Sequence, residues 1–406
     1  MKKSIHLLSI PVVACCLSCT SGKVLPPEPI LPVPEPKQVE WQQMETYAFI
    51  HFGLNTFNDR EWGYGDTDPK TFNPTNLDCE QWAQTLVKAG MKGVILTAKH
   101  HDGFCLWPFE GTDYSVKNSP WKNGQGNVVK ELSEACKKYG LKFAVYLSPW
   151  DRHQANYGTP EYLPYFYAQL HDLLTNYGPV FEVWFDGANG GDGWYGGAKD
   201  IRTIDRKNYY NYPRIYEMLD SIQPQAIILG WRPGCRWVGN EKGFAGATNW
   251  SFLRKGEVHP GYDKSYELQY GHPDGNQWVP AECDVSIRPG WFYHPEEDDR
   301  VKSPDQLVDL YYRSVGHNAT LLLNFPVDRR GLIHPVDSAN AVRFHEMIQQ
   351  QLKTNLVAGM TPKVSNERGG DFVASALTDD NFDTYWATED GVTTADIEFS
   401  FDTLLE

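Results

Sequence analysis

A chain of 406 residues is long enough for one large α/β barrel and a smaller second unit. Its formal charge of −15 excludes recognition of nucleic acid, or of an anionic membrane through a basic face, because phosphate contacts need clustered Lys and Arg. Aromatic residues make up 14% of the chain, with 14 Trp, and flat rings with a polar edge suit the faces of sugars as well as protein cores.

The chain opens with "MKKSIHLLSIPVVACCLSCTSGK". Lys2 and Lys3 precede a short apolar stretch and then Cys15, Cys16 and Cys19 among small residues, a pattern of export and too short for a span. Small residues ending in Cys resemble a bacterial lipoprotein cleavage box, with Cys19 the favoured site. A soluble secreted product is the alternative. Residues 1–19 are thus expected to be a signal peptide. The protein is expected in the bacterial periplasm or at the outer membrane, touching lipid only through an N-terminal anchor. Residues 20–40 contain "KVLPPEPILPVPEPKQVE", whose six prolines predict an extended tether. The other cysteines, Cys79, Cys105, Cys136, Cys235 and Cys283, are odd in number and form no CxxC pair, so buried thiols are expected.

From residue 41 to 357, short apolar runs alternate with amphipathic patterns. The strand candidates are "YAFIHFG" from Tyr47, "GVILTAKH" from Gly93, "FAVYLSP" from Phe143, "FEVWFDG" from Phe181, "AIILGW" from Ala226, "WVPAECDVSI" from Trp278 and "ATLLLNFP" from Ala319. Between them, "LDCEQWAQTLVKAG" has Asp78 as a cap and Gly90 past its end, and "VVKELSEACKKYG" closes on Gly140. Strand then helix, repeated, predicts a parallel sheet, here a (β/α)8-like barrel with one strand weak or missing. A doubly wound open sheet is the alternative, although no GxGxxG follows the first strand. After the helix "SANAVRFHEMIQQQLKTNL", residues 358–406 turn to Thr, Asp and alternating apolar positions, read as the beginning of an incomplete β-sandwich.

Polar residues gather where the strands end: His51, His100 and His101, Ser148, Asp186 and Trp231. In a barrel those ends meet at one face, where active sites are built. Asp186, in "VWFDG", is either a turn former or a catalytic carboxylate. The pair in "KHHDGF" can converge only if the strand has already turned into loop, since neighbours on a strand point to opposite sides. Neutral imidazoles donating to hydroxyls is the preferred reading, over metal ligation and over imidazoles satisfied by backbone; a metallo-hydrolase barrel would offer two His two apart on its first strand, where "FIHFG" has His51 alone. Glu61 and Trp62 set a carboxylate beside a ring able to stack, and Tyr146 and Trp184 are strand aromatics. Glycoside hydrolysis needs a second carboxyl. Glu241, on a Gly-rich excursion near Trp237, is favoured over Glu282, for which a nearby Arg288 predicts an ion-paired structural role.

Together, "FIHFGLNTF", "EWGYGD", "KHHDGFCLW", "SVKNSPW", "YLSPWDRH", "VWFDGANG", "RWVGNE", "DVSIRPGWFYH" and "LLLNFPVDRRG" resemble, in order, the α-L-fucosidases of glycoside hydrolase family 29, and in particular the branch acting on α-1,3 and α-1,4 linked fucose. The resemblance covers roughly Trp41 to Val357. It implies a retaining mechanism with Asp186 as nucleophile and Glu241 as acid/base, and sugar contacts from His51, Glu61, Trp62, His100, His101, Tyr146 and Trp184. Trp237 and Trp291 are expected to form a platform for the rest of a fucosylated oligosaccharide, and no metal or cofactor is expected. A non-catalytic glycan-binding lipoprotein and a metal-dependent amidohydrolase are the alternatives.

Overall fold

In the computed structural model the described residues are 23–186, 194–195, 197–230, 234–259 and 261–402. The N-terminal signal with Cys15, Cys16 and Cys19, and Trp231 at the fifth strand's end, lie outside them. The chain divides into two compact units, residues 30–353 and a smaller unit from residues up to Pro29 with Thr354 onward.

Eight parallel strands form the larger unit's sheet: β1 (Thr46–Ile50), β2 (Gly93–Lys99), β3 (Lys142–Leu147), β4 (Glu182–Trp184), β5 (Ile227–Ile228), β6 (Arg236–Trp237), β7 (Ala281–Ser286) and β8 (Ala319–Asn324). Their spatial order is β5-β4-β3-β2-β1-β8-β7-β6. The two outer strands are bridged in parallel at Leu229 and Cys235, so the sheet curls into a (β/α)8-like barrel. The weak strand is β6, two residues inside what the sequence offers as a loop. Trp278, expected to open the sixth strand candidate, pairs instead with Phe252 in a separate antiparallel ladder, and that strand, β7, starts at Ala281.

Helices stand where the amphipathic patterns place them. The Asp78 side chain accepts from the N–H groups of Glu80 and Gln81 and starts the helix Cys79–Lys88. Gly140, at φ +75°, ends the helix Val128–Tyr139 in the left-handed region. The proline-rich stretch does not stay extended to residue 40. From Pro36 to Gln42 it is a helix that buries Gln38 and Trp41, and Gln38 donates to the carbonyls of Gly234 and Trp278.

Strand alternation sorts the core into two sets. Ala48, Ile50, Val94, Leu96, Val145, Val183, Leu321 and Leu323 pack in the cluster that includes the surrounding helices. Tyr47, Phe49, Ile95, Tyr146, Trp184 and Leu322 form a second cluster inside the barrel. The five cysteines among the described residues, Cys79, Cys105, Cys136, Cys235 and Cys283, are buried free thiols. In the smaller unit the described strands are one antiparallel ladder, Lys363–Val364 with Ile397–Glu398.

Candidate active site

The inward set, continued past the strand ends, brings the functional groups together. Counting by twos, Tyr47 and Phe49 lead to His51, Tyr146 to Ser148, and Trp184 to Asp186. The carboxylate that ends the fourth strand is therefore an inward residue at the barrel mouth as well as the start of a turn. His100 and His101 share the cavity because β2 stops at Lys99. Their ring centroids lie 4.1 Å apart. Lys99 itself is buried away from the cavity against Asp151, at 3.1 Å.

One cavity of about 480 Å³ is lined by His51, Glu61, Trp62, His100, His101, Tyr146, Trp184, Asp186, Trp237, Glu241 and Trp291, the eleven residues expected from the sequence to catalyse or to hold the sugar. The Tyr146 hydroxyl donates to Asp186 Oδ2 at 3.0 Å, and His101 Nε2 faces the same oxygen at 3.6 Å. Trp184 stacks on Tyr146 at 5.5 Å and 22°. Trp62 meets His101 edge-on at 5.6 Å. Burial, with the other cationic groups nearby, holds the imidazoles neutral: His51 and His101 are each pushed down to about 3, and His100 well below its ordinary value.

Glu241 stands at the exposed rim, where Trp291 Nε1 donates to its Oε2 at 3.2 Å. Its pKa is raised, first by loss of solvent to the surrounding protein and then by the charges of Asp186 and Glu61, against the pull of the indole. Glu61 is more occupied than its sequence setting implies. Its oxygens accept from the backbone of Trp291 (2.9 Å) and Phe292 (3.1 Å) and meet His294 Nε2 at 2.7 Å, so it pins the loop that carries Trp291.

Glu282 is not paired with Arg288. That guanidinium binds Asp337 and Asp298, each at 2.8 Å, while Glu282 is fully buried beneath the cavity, accepting from Tyr47 and, at 2.7 Å, from Trp184 Nε1. The expected ion pair fails because six residues along an extended strand span about 20 Å. Sequence reasoning also missed Asp284, buried on the inward face of β7, lining the cavity and accepting from Trp237 Nε1 at 2.8 Å. The alternation Glu282, Asp284, Ser286 was the available signal. Missed too were Arg206, His259 and Tyr262, which come from irregular segments and carry no periodic pattern, and Tyr212, which opens the helix Tyr212–Ile222; all four line the cavity.

His100, His101 and Asp186 also bring one ligand atom each within 4.8 Å of one another, a geometry that could receive a cation. The donor set argues for a different occupant. Asn55 Nδ2 lies 3.3 Å from His100 Nδ1, and an amide N–H needs that nitrogen's lone pair, which leaves the ring proton on Nε2.

Two carboxylates at the mouth of a parallel barrel, with indoles and neutral imidazoles around them, define a glycoside hydrolase architecture: one bond to be flanked and a hydroxylated ring to be held. The chain belongs to the alpha-L-fucosidase family, whose model matches residues 32–347. It is 44% identical over 369 residues to Alpha-L-fucosidase 1 of Arabidopsis thaliana, covering 90% of this chain and 70% of that one. A crystal structure of a glycoside hydrolase 29 family member from an unknown rumen bacterium shares 55% identity at a TM-score of 0.79, over 85% of this chain and 61% of that chain. A Ruminococcus gnavus GH29 fucosidase in complex with fucose shares 34% identity at a TM-score of 0.79, over 89% and 77%.

Proposed function

We propose that this chain is a retaining exo-α-L-fucosidase with Asp186 as nucleophile and Glu241 as acid/base. The carrying observation is that a carboxylate held by Tyr146 at the end of β4 and a rim carboxyl of raised pKa line the same cavity. Asp186 attacks the anomeric carbon as its bond to the leaving oxygen breaks, and Glu241 gives that oxygen its proton. Water then attacks the same carbon, Glu241 takes back a proton, and Asp186 is released. The fucose bound in the Ruminococcus gnavus relative supports the sugar.

The test is release of nitrophenol from an α-L-fucoside with and without a chelator. Turnover unaffected by chelation is expected, loss of it would point to the metal-dependent reading, and no turnover at all to a glycan-binding protein. Early NMR should show the α-anomer of the sugar first, and β-fucose first would overturn retention.

The family resemblance supports α-1,3 and α-1,4 linkages on branched, Lewis-type glycans. Trp237 and Trp291 flank Glu241 as surfaces for the neighbouring galactose, whose binding lowers the barrier only when the branch is present. Lewis trisaccharides should be cleaved far faster than 2'-fucosyllactose; equal rates would refute this. The Lys2, Lys3 and Cys19 pattern supports export and lipid anchoring, tested by metabolic labelling with a radioactive fatty acid, which Cys19→Ser should abolish. The ladder at Lys363–Val364 we read as the opening of a β-sandwich.

A further inference from the structure

The three imidazoles at the strand ends, those of His51, His100 and His101, are neutral, and each has its Nδ1 hydrogen-bonded to a different kind of partner. His51 Nδ1 is 2.8 Å from Asn324 Oδ1. The orientation of that amide is set by the carbonyl of Trp291, which can only accept and lies 2.9 Å from Asn324 Nδ2. His51 therefore carries its proton on Nδ1 and turns a lone pair outward at Nε2.

His101 Nδ1 is 2.8 Å from Ser148 Oγ. The one proton of that hydroxyl goes to the carbonyl of Trp150 at 2.7 Å, so Ser148 accepts from the ring. His101 is likewise protonated on Nδ1, and its Nε2 lone pair faces Asp186 Oδ2 at 3.6 Å. Two acceptors facing each other across that distance call for a donor between them.

His100 is the reverse case. Asn55 Nδ2 is 3.1 Å from the carbonyl of Glu61, which can only accept, and 3.3 Å from His100 Nδ1. The amide nitrogen thus donates to both, and His100 keeps its proton on Nε2. Asn55 is buried, and its Oδ1 has no hydrogen-bond partner among the described residues. The amide is held in this orientation at the cost of an unsatisfied oxygen, which marks the donor end as the useful one. Gly63 of "EWGYGD" guards the arrangement: a Cβ there would lie 2.5 Å from Asn55 Oδ1 and 3.0 Å from Asp102 Cβ.

We propose that Asn55 is a positioning residue that gives His100 the opposite tautomer from His51 and His101, so that the strand-end wall of the cavity offers its ligand two imidazole acceptors and one imidazole donor. Such a wall selects a polyhydroxylated ring able to give two hydroxyl protons and accept one hydrogen bond. Calling that ring a sugar rests on the function proposed above; the tautomers do not.

The test is imidazole NMR of the full chain labelled with ¹⁵N-histidine, with resonances assigned through His51→Gln, His100→Gln and His101→Gln variants. The expected spectrum has His100 protonated on Nε2 and both others on Nδ1. His100 protonated on Nδ1, or exchanging between tautomers, overturns the proposal whatever the activity proves to be. Asn55→Leu and Gly63→Ala disturb the amide from two sides. Each should raise KM about tenfold while kcat stays within about threefold, with the His100 tautomer shifting in parallel. A raised KM with the His100 tautomer unchanged would overturn the positioning role, and if neither variant folds the wild-type spectrum decides alone.

Discussion

At the mouth of the barrel Asp186 and Glu241 face an open cavity, whereas Glu182, at the start of the strand that leads to Asp186, and Glu282, near the start of β7, are sealed inside. The buried pair is ringed by donors: Trp41 Nε1 to Glu182 at 2.9 Å, Trp184 Nε1 to Glu282 at 2.7 Å, the Tyr47 hydroxyl and the Cys235 thiol. Burial and the charge of Glu282 push Glu182 well above the usual carboxylate range, and burial raises Glu282 too, so the two share a proton. A raised pKa therefore does not by itself mark a catalytic acid in this barrel. Asp102 is pushed to about 7 by burial and Asp284 also lies well above its usual value. What separates Glu241 from these is its exposure at the rim, since even Asp284, which lines the cavity, is buried.

The comparison breaks first at Asp186. Asp186→Asn should lower turnover of a nitrophenyl fucoside by about a thousandfold or more while fucose still binds, because the nucleophile acts mainly in the transition state. Glu182→Gln should leave turnover within a few-fold. A variant at Asp186 retaining several per cent of the rate would remove it from the nucleophile's role.

The second carboxyl comes next. Glu241→Ala should lose about a hundredfold on a natural glycan and little on a fucosyl fluoride, whose fluoride leaves without a proton, and azide should restore turnover as α-fucosyl azide, by attacking the fucosyl-Asp186 intermediate in place of water. Glu282→Ala should instead lower stability by about 3 kcal/mol in a denaturant titration, since it leaves Trp184 and Tyr47 without their acceptor. Azide rescue in Glu282→Ala, with Glu241→Ala like wild type, would exchange the two roles.

Glu241 must be protonated to act as the acid, so kcat/KM should fall as pH rises through a pKa above the ordinary glutamate range. The Trp291 indole favours the ionised form, and Trp291→Phe should move that alkaline limb to higher pH. A limb unmoved, or moved down, would show that another group sets it.

The smallest effect belongs to the buried pair. Glu182 is protonated when folded and ionised when unfolded above its ordinary pKa, so its contribution to stability is fully present below that value. It declines as pH rises toward the folded pKa, by about 1.4 kcal/mol per unit. Glu182→Gln, which stays neutral and can still donate to Glu282, should flatten the melting temperature against pH above about pH 4.5. An unchanged slope would mean that Glu182 is already ionised in the native state.

Much of this was legible in residue order. The apolar runs at Tyr47, Gly93, Phe143, Phe181 and Ala319 are strands because each is long enough to be buried on both faces, and the caps at Asp78 and Gly140 act within a single turn of chain. The motifs that end those strands place Asp186, His51, His100 and His101 at one mouth, since parallel strands must all end on the same side. Tertiary structure alone decided the rest. Strand β6 is two residues, Arg236 and Trp237, and exists because Arg236 finds carbonyl partners at Leu268 and Trp250 far along the chain. The helix at Pro36–Gln42 forms where a barrel floor offers Gln38 two carbonyls. Which glutamate faces ligand and which shares a buried proton, and on which nitrogen His100 carries its hydrogen, depends on partners tens to hundreds of residues away, and no local pattern encodes a contact of that range.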